Sequence, residues 1–188
     1  MPPRLKITRN EIIKTTVELV KKEGAESINA RAIAAALGCS TQPIFSNFSS
    51  MEELQEAVKM AAYNRYLDFL NDEIEKGEYP KYKASGMAYI RFAKEERELF
   101  KMIFMCDRDG KDFDPTADFT ACVEMIMSAN SISREKAELM HMEMWGFVHG
   151  VATMSATSFL DLDWELISNM LTDIYQGVRT RHLYKEGV

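Results

Sequence analysis

Residues 24–54, GAESINARAIAAALGCSTQPIFSNFSSMEEL, decide how the N-terminal part of this chain folds. Asn29 is a good N-cap for a short alanine-rich helix over residues 30–37. Only Gly38-Cys39-Ser40 separates that helix from a second one over residues 41–47. Two short helices joined by so few residues are typical of a helix-turn-helix, whose second helix enters the DNA major groove. Because many all-helical proteins contain similar corners, the spacing alone leaves both interpretations open.

The apolar positions predict which faces of the two short helices are buried. Ile33 and Leu37 fall on one side of the first helix, and Ile44 and Phe48 on one side of the second. Ser40 is the predicted cap of the second helix. Pro43 then stands in the first turn, where a missing N–H leaves no hydrogen bond unmade.

Helix signals also flank this pair. Thr8 and Glu11 form a capping box for a first helix that ends at Gly24. Two overlapping boxes within residues 49–53 begin a long fourth helix that runs toward Lys76. Apolar periodicity and N-caps at Asp114, Ser133 and Asp163 predict five further helices. These helices span residues 81–95, 97–105, 114–130, 133–157 and 164–184. The sequence therefore predicts an all-α fold of about nine helices.

The charge of the 188-residue chain changes sign near residue 50, where the helix-turn-helix motif ends. The net charge is −6, but residues 1–50 carry seven basic and four acidic side chains, a balance of +3, and residues 51–188 carry −9. We therefore expect a DNA-binding domain over 1–50, with a basic N-terminal arm, and a larger acidic helical bundle over 51–188.

Cysteine usage and hydropathy indicate the compartment. The three cysteines are scattered, which is typical of free thiols in a reducing cytoplasm. No apolar stretch is long enough to cross a membrane. We expect a cytoplasmic protein without a membrane partner.

The ordered combination in residues 24–54 resembles the DNA-binding module of the TetR family of transcriptional regulators. The matching features are Ile33-Ala34 and Gly38 around the turn, then Ile44-Phe45-x-x-Phe48 and the lead into the fourth helix. Farther along the chain, Trp145-x-x-x-His149-Gly150 is similar to an element of one TetR subgroup. The resemblance implies a ligand-responsive regulator, a repressor in its simplest form, that binds a palindromic double-stranded DNA operator as a homodimer.

Two residues depart from the family pattern. Members of the family usually have a tyrosine where this chain has Phe45 and a lysine where it has Met51. The resemblance implies that both of those side chains contact DNA phosphates. Phenylalanine lacks the hydroxyl and methionine the ammonium group, so two phosphate contacts are missing. The alternative interpretation is a ligand-binding or partner-binding bundle of the same fold with weak or lost DNA binding.

Candidate DNA contacts follow from the chemistry of the predicted reading helix and its surroundings. The amide of Gln42 can bond adenine in a bidentate way, and Thr41 can touch a thymine methyl group. The other candidates are short polar or basic side chains suited to phosphate, and each serine or asparagine among them has capping or solvation as its alternative. The full predicted set is Arg4, Lys6, Asn29, Arg31, Ser40, Thr41, Gln42, Ser46 and Asn47.

Thirteen methionines, most of them after residue 51, suit a cavity for a small and largely apolar effector, although a methionine-rich core is the simpler alternative. The resemblance favours the cavity, and the predicted lining residues are Met87, Ile90, Phe104, Met105, Met125, Trp145 and His149. His141 and His149 are about 12 Å apart along a helix, too far to share a metal ion. We predict no metal, no cofactor and no enzymatic activity, because phosphate loops, nucleophile elbows and metal motifs are missing from the sequence.

The last two helices, 133–157 and 164–184, are the predicted dimer interface. TetR-like proteins pair through the corresponding helices. Small residues there would allow close approach: Gly146, Gly150, Ala152, Ser155 and Ala156. The alternative is that these helices only close the core of one subunit.

Overall fold

A computed structural model describes residues 7–106 and 119–184 of the chain. Within those ranges it contains nine α-helices, one short 3-10 turn at 25–27 and no strand, which confirms the predicted all-α class. The helices are α1 (Arg9–Glu23), α2 (Ala30–Ala36), α3 (Gln42–Asn47), α4 (Met51–Lys76), α5 (Lys81–Glu95), α6 (Arg97–Phe104), α7 (Phe119–Asn130), α8 (Arg134–Ala156) and α9 (Trp164–Tyr184). No helix among the described residues is both long and apolar enough to cross a membrane.

The described residues form two compact units. Unit 1 contains residues 7–65 and 96–106, and unit 2 contains residues 66–95 and 119–184. The boundary therefore lies inside α4, whereas the sequence suggested a division after residue 50. The division by function at residue 50 stays a prediction.

Unit 1 forms around the buried faces of its short helices. The side chains of Ile12, Ile33, Ile44 and Leu54 are fully buried there. The predicted capping box of α1 is present: the Thr8 N–H donates to a Glu11 carboxylate oxygen at 2.7 Å, and the Thr8 hydroxyl accepts from the Glu11 N–H. Such a cap contributes about 1 kcal/mol to helix stability.

Glycine and proline set the turns of unit 1. Gly24 ends α1 at φ 83° and Gly38 follows α2 at φ 64°, both in the left-handed region that favours glycine. The prediction for Ser40 is wrong: Thr41 is the N-cap of α3 and makes no side-chain capping bond. Pro43 in the first turn fixes φ there, which supports the start of the helix without a capping side chain.

A buried carboxylate joins α1, α4 and α6 within unit 1. Glu96 precedes α6, and its oxygens lie 3.2 Å from the Lys21 ammonium and 3.3 Å from the Arg65 guanidinium. An unpaired buried carboxylate would be costly, and the two cations offset that cost at the start of α6.

Unit 2 is built from α5, α7, α8, α9 and the second half of α4. Val123, Ile126 and Met140 form the centre of one core cluster, with Tyr82 and Tyr175 packed against it. The predicted caps of the last two helices are confirmed: Ser133 accepts from the Lys136 N–H, and Asp163 accepts from the Leu166 N–H at 2.8 Å. The predicted start of α7 at Asp114-Pro115 lies outside the described residues.

Candidate nucleic-acid interface

The orientation of α3 is set by two buried side chains. Ile44 is fully buried and Phe48 is 2% exposed. Since a helix turns 100° per residue, the opposite side of α3 faces away from the core. Gln42, Phe45 and Ser46 lie there and are exposed. Unit 1 therefore presents a short helix with an accessible, mainly polar face, as the helix-turn-helix interpretation requires.

An ion pair fixes the end of α3 against the start of α4. The Arg9 guanidinium donates to the Asn47 carbonyl oxygen and to a Glu53 carboxylate oxygen, both at 2.8 Å, and lies 4.1 Å from the centre of the Phe48 ring. Glu53 also accepts from the Ser49 hydroxyl and the Ser49 N–H, each at 2.7 Å. The Ser49 bonds, with Arg9, lower the pKa of Glu53 from 4.5 to about 2. Arg9 thus positions the reading helix.

Three of the predicted DNA contacts have local structural partners. The Ser46 hydroxyl donates to the Gln42 carbonyl oxygen at 2.9 Å, and the Asn47 amide donates to Pro43 O at 2.8 Å. Asn29 caps α2 by accepting the Ala32 N–H at 2.9 Å. Capping, one of the alternatives recognised from sequence, therefore describes Asn29, whereas Ser46 and Asn47 bond to backbone carbonyl oxygens of their own helix. Contact of these three side chains with DNA stays a prediction.

The other candidates in unit 1 are more accessible. Arg31, Ser40 and Gln42 are exposed and Thr41 is half-buried. Within the described part of the chain, none of these four side chains has a hydrogen-bond partner. Arg4 and Lys6 lie outside the described residues.

The predicted effector residues fall into both units. Phe104 is buried and Met105 exposed in unit 1. In unit 2, Met87 and Ile90 are core residues of α5, and Met125 is half-buried on α7. The burial of Met87 and Ile90 fits the core alternative. An effector pocket lined by the full set stays a prediction.

Trp145 and His149 lie together on α8. Their rings stack with centroids 5.0 Å apart and an interplanar angle of 12°. The Nδ1 atom of His149 is 2.9 Å from the Tyr89 hydroxyl on α5. This half-buried aromatic group is the part of the predicted pocket that the structure brings together.

A second tyrosine–histidine pair was missed from the sequence. The Tyr82 hydroxyl lies 3.0 Å from Nδ1 of His141, again joining α5 to α8. Burial raises the pKa of Tyr82 and lowers the pKa of His141, so the hydroxyl keeps its proton and donates to a neutral imidazole. The signal was available, because the two tyrosines and the two histidines are seven and eight residues apart, which places each pair on one helix face. No cluster of three or more metal-ligating side chains exists in residues 7–106 and 119–184.

Apolar side chains on α8 and α9 reach solvent. On α8, Leu139 is 51% and Met142 50% exposed, and a Cβ added at Gly146 would meet no atom within 4 Å. On α9, Leu166 is 43% and Ile174 38% exposed. The expectation for three small residues is wrong, because they are buried within the subunit and cannot reach a partner: Ala152, Ser155 and Ala156.

The fold and the geometry of α2 and α3 define a helix-turn-helix protein of the DNA-binding class. Residues 12–58 match the family model described as bacterial regulatory proteins, tetR family. A curated relative, an uncharacterized HTH-type transcriptional regulator of Mycobacterium tuberculosis, is 22% identical over 183 residues, covering 94% of this chain and 84% of the relative.

Solved structures share the fold. A proposed transcriptional regulator of Pseudomonas aeruginosa PAO1 has a TM-score of 0.69 at 13% identity, covering 93% of this chain and 91% of that one. A TetR-like transcriptional regulator from Rhodococcus sp. RHA1 has a TM-score of 0.59 at 16% identity, covering 99% and 100%. The family match over residues 12–58 and the curated relative support a transcriptional regulator of the TetR type, and the two solved structures show that the chain shares their fold. The subgroup suggested by Trp145, His149 and Gly150 stays a prediction.

Proposed function

We propose that this chain is a ligand-responsive repressor that binds a palindromic operator as a homodimer. A small, largely apolar effector bound in unit 2 releases it from DNA. The observation that carries the proposal is α3: within the segment that matches the family, its apolar side is buried and Gln42 is exposed with no hydrogen-bond partner among the described residues. Such a side chain is available to read adenine.

Exposed apolar side chains on α8 and α9 support the homodimer. Five of them are more than a third exposed, and burying the part of each side chain that still reaches solvent would gain roughly 1 kcal/mol. The open surface at Gly146 and Gly150 allows a partner helix to approach closely. A dimer is also what DNA reading requires, because two short helices spaced by about 34 Å or more double the sequence that is recognised.

The aromatic group of Trp145, His149 and Tyr89 supports effector binding in unit 2. Stacked rings beside a polar hydrogen-bonding pair offer an apolar surface with a few fixed polar atoms, as small-molecule sites do. Helix α4 contributes residues to both units, so its movement is the proposed link between effector and DNA. Release requires that the effector bind the DNA-free spacing of the reading helices more tightly than the operator spacing.

The test is selection of bound sequences from a random double-stranded DNA pool, followed by mobility shift of the selected site. We expect a palindrome with two half-sites and a mass by light scattering equal to two chains. A salt series should give a shallow slope, because each phosphate contact contributes about −0.9 to the slope of log K against log salt and few such contacts are expected.

The alternative function predicts a different result. Met51 supplies no ammonium group for phosphate, and the nearby Arg9 is paired with Glu53. If the pool yields no enriched sequence at low salt while the chain remains folded and dimeric, the proposal is wrong and a partner-binding bundle of the same fold is the better account.

A further inference from the structure

One aromatic ring lies on the outer face of α3. Phe45 is 55% exposed, more than any other large hydrophobic side chain described in unit 1. Its neighbours Ile44 and Phe48 are buried, so α3 cannot rotate to cover Phe45 without exposing them. The exposure of this ring is therefore imposed by the packing of the helix.

The position of Phe45 matters more than its exposure, since single exposed apolar residues are common. Gln42 lies three residues earlier, so the two side chains are neighbours on the outer face, about 4.5 Å apart along the helix axis. The hydroxyl of Ser46, the next residue on this face, is turned back to the Gln42 carbonyl oxygen. The Gln42 amide and the Phe45 ring are thus the two groups that this part of α3 offers to a partner.

The chemistry of a phenyl ring limits what it can contact in DNA. It has no donor or acceptor, so it can bond neither a phosphate nor the polar edge of a base. The apolar group that the major groove presents is the C5-methyl of thymine. Gln42 and Phe45 are separated by about 4.5 Å along the helix axis, which is close to the 3.4 Å rise of one base pair. The ring is therefore expected to lie about one base pair away from the base that Gln42 reads.

We infer that Phe45 is a specificity-determining residue that contacts a thymine methyl group next to the adenine read by Gln42. This inference rests on the proposed function and adds a base preference to it. The inference also explains why phenylalanine can stand where the family has a tyrosine. A ring without the phosphate-binding hydroxyl contacts a base in the major groove instead.

The test uses the full-length protein and removes the methyl group from the DNA. Replacing thymine by deoxyuridine in the selected operator keeps the base pair and deletes only the C5-methyl. For the wild type we expect about a fourfold loss of affinity per half-site at one position, and about 15-fold when both half-sites are changed, equivalent to ~0.8 kcal/mol per methyl group. Phe45→Ala should bind both DNAs equally, and its selected pool should lose the thymine preference.

A matched control is Met60→Ala, which removes an exposed apolar side chain of unit 1 outside α3. The Met60→Ala variant should lose as much affinity as the wild type does when thymine is replaced by deoxyuridine in the operator. Unchanged melting temperatures establish that both variants fold, as their exposure leads us to expect. An operator that tolerates deoxyuridine at every thymine, or a Phe45→Ala variant with an unchanged thymine preference, overturns this inference alone. A pool without any enriched sequence overturns the proposed function and this inference together.

Discussion

Apolar side chains reach solvent in both units, but in different surroundings. On α3, Phe45 stands singly beside Gln42 and Ser46. On α8 and α9 the exposed residues repeat along the helices, with Leu139 and Met142 on one and Leu166 and Ile174 on the other. An isolated ring in a polar face suits a nucleic acid, whose groove is polar with scattered methyl groups. A repeated apolar face suits another protein surface of the same kind.

The largest expected effect comes from charging the α8 face. Leu139→Lys with Met142→Lys should separate the dimer, because two ammonium groups would have to be buried without partners. Losing the second half-site should weaken operator binding by about 10²–10⁴-fold, the usual range of avidity. Light scattering and mobility shift measure the two effects. The control is Met60→Lys, and a double variant that stays dimeric would remove α8 from the interface.

The next effect concerns the buried side of α3. Ile44→Ala should destabilise unit 1 by about 2–5 kcal/mol, because it opens a cavity at a fully buried position. Phe45→Ala, one residue along, should stay within about 0.5 kcal/mol of the wild type because that ring is exposed. Amide hydrogen exchange in α1–α3 measures both. Equal effects at the two positions would contradict the described orientation of α3.

A smaller effect is expected for the polar reading group. Gln42→Ala should weaken operator binding by about 1–3 kcal/mol, which is roughly 5- to 160-fold in affinity, if its amide bonds adenine. Ser46→Ala is the control on the same face, and a change of less than twofold is expected because its hydroxyl is bonded to the helix backbone. Mobility shift at fixed salt compares them. Equal losses in both variants would argue against base reading by Gln42.

Local signals in the sequence were enough to predict most helix ends. Thr8, Asn29, Ser133 and Asp163 cap their helices as expected, because capping depends on residues within one turn. The prediction failed at Ser40, where Pro43 supports the helix start and no capping side chain is required.

Contacts between distant residues could not be read in the same way. Arg9 counted as a basic residue of a DNA-contacting region, yet its partner Glu53 is 44 positions away. The burial of Ala152 and Ser155 likewise depends on which side of α8 packs inside unit 2. Charge and size are visible in a sequence, but the partner of a side chain is set by tertiary packing.

The smallest expected effect is a difference between the two units in how their stability responds to falling pH. Burial lowers the pKa of His141 in unit 2 below the ordinary 6.5, so the unfolded chain binds a proton there before the folded one does. That contribution to stability is present above pH 6.5 and is lost as pH falls through the folded pKa. In unit 1, the pKa of Glu53 is lowered from 4.5 to about 2, so its contribution is kept until pH falls below 4.5.

Between pH 7.5 and 5, we therefore expect unit 2 to lose stability while Glu53 keeps its contribution in unit 1. Both tryptophans of the chain, Trp145 and Trp164, lie in unit 2, so denaturant unfolding followed by tryptophan fluorescence reports on that unit alone. His141→Gln keeps a neutral acceptor for the Tyr82 hydroxyl and should reduce the pH dependence in this range. A slope unchanged by the substitution would assign the acid sensitivity of unit 2 to another group.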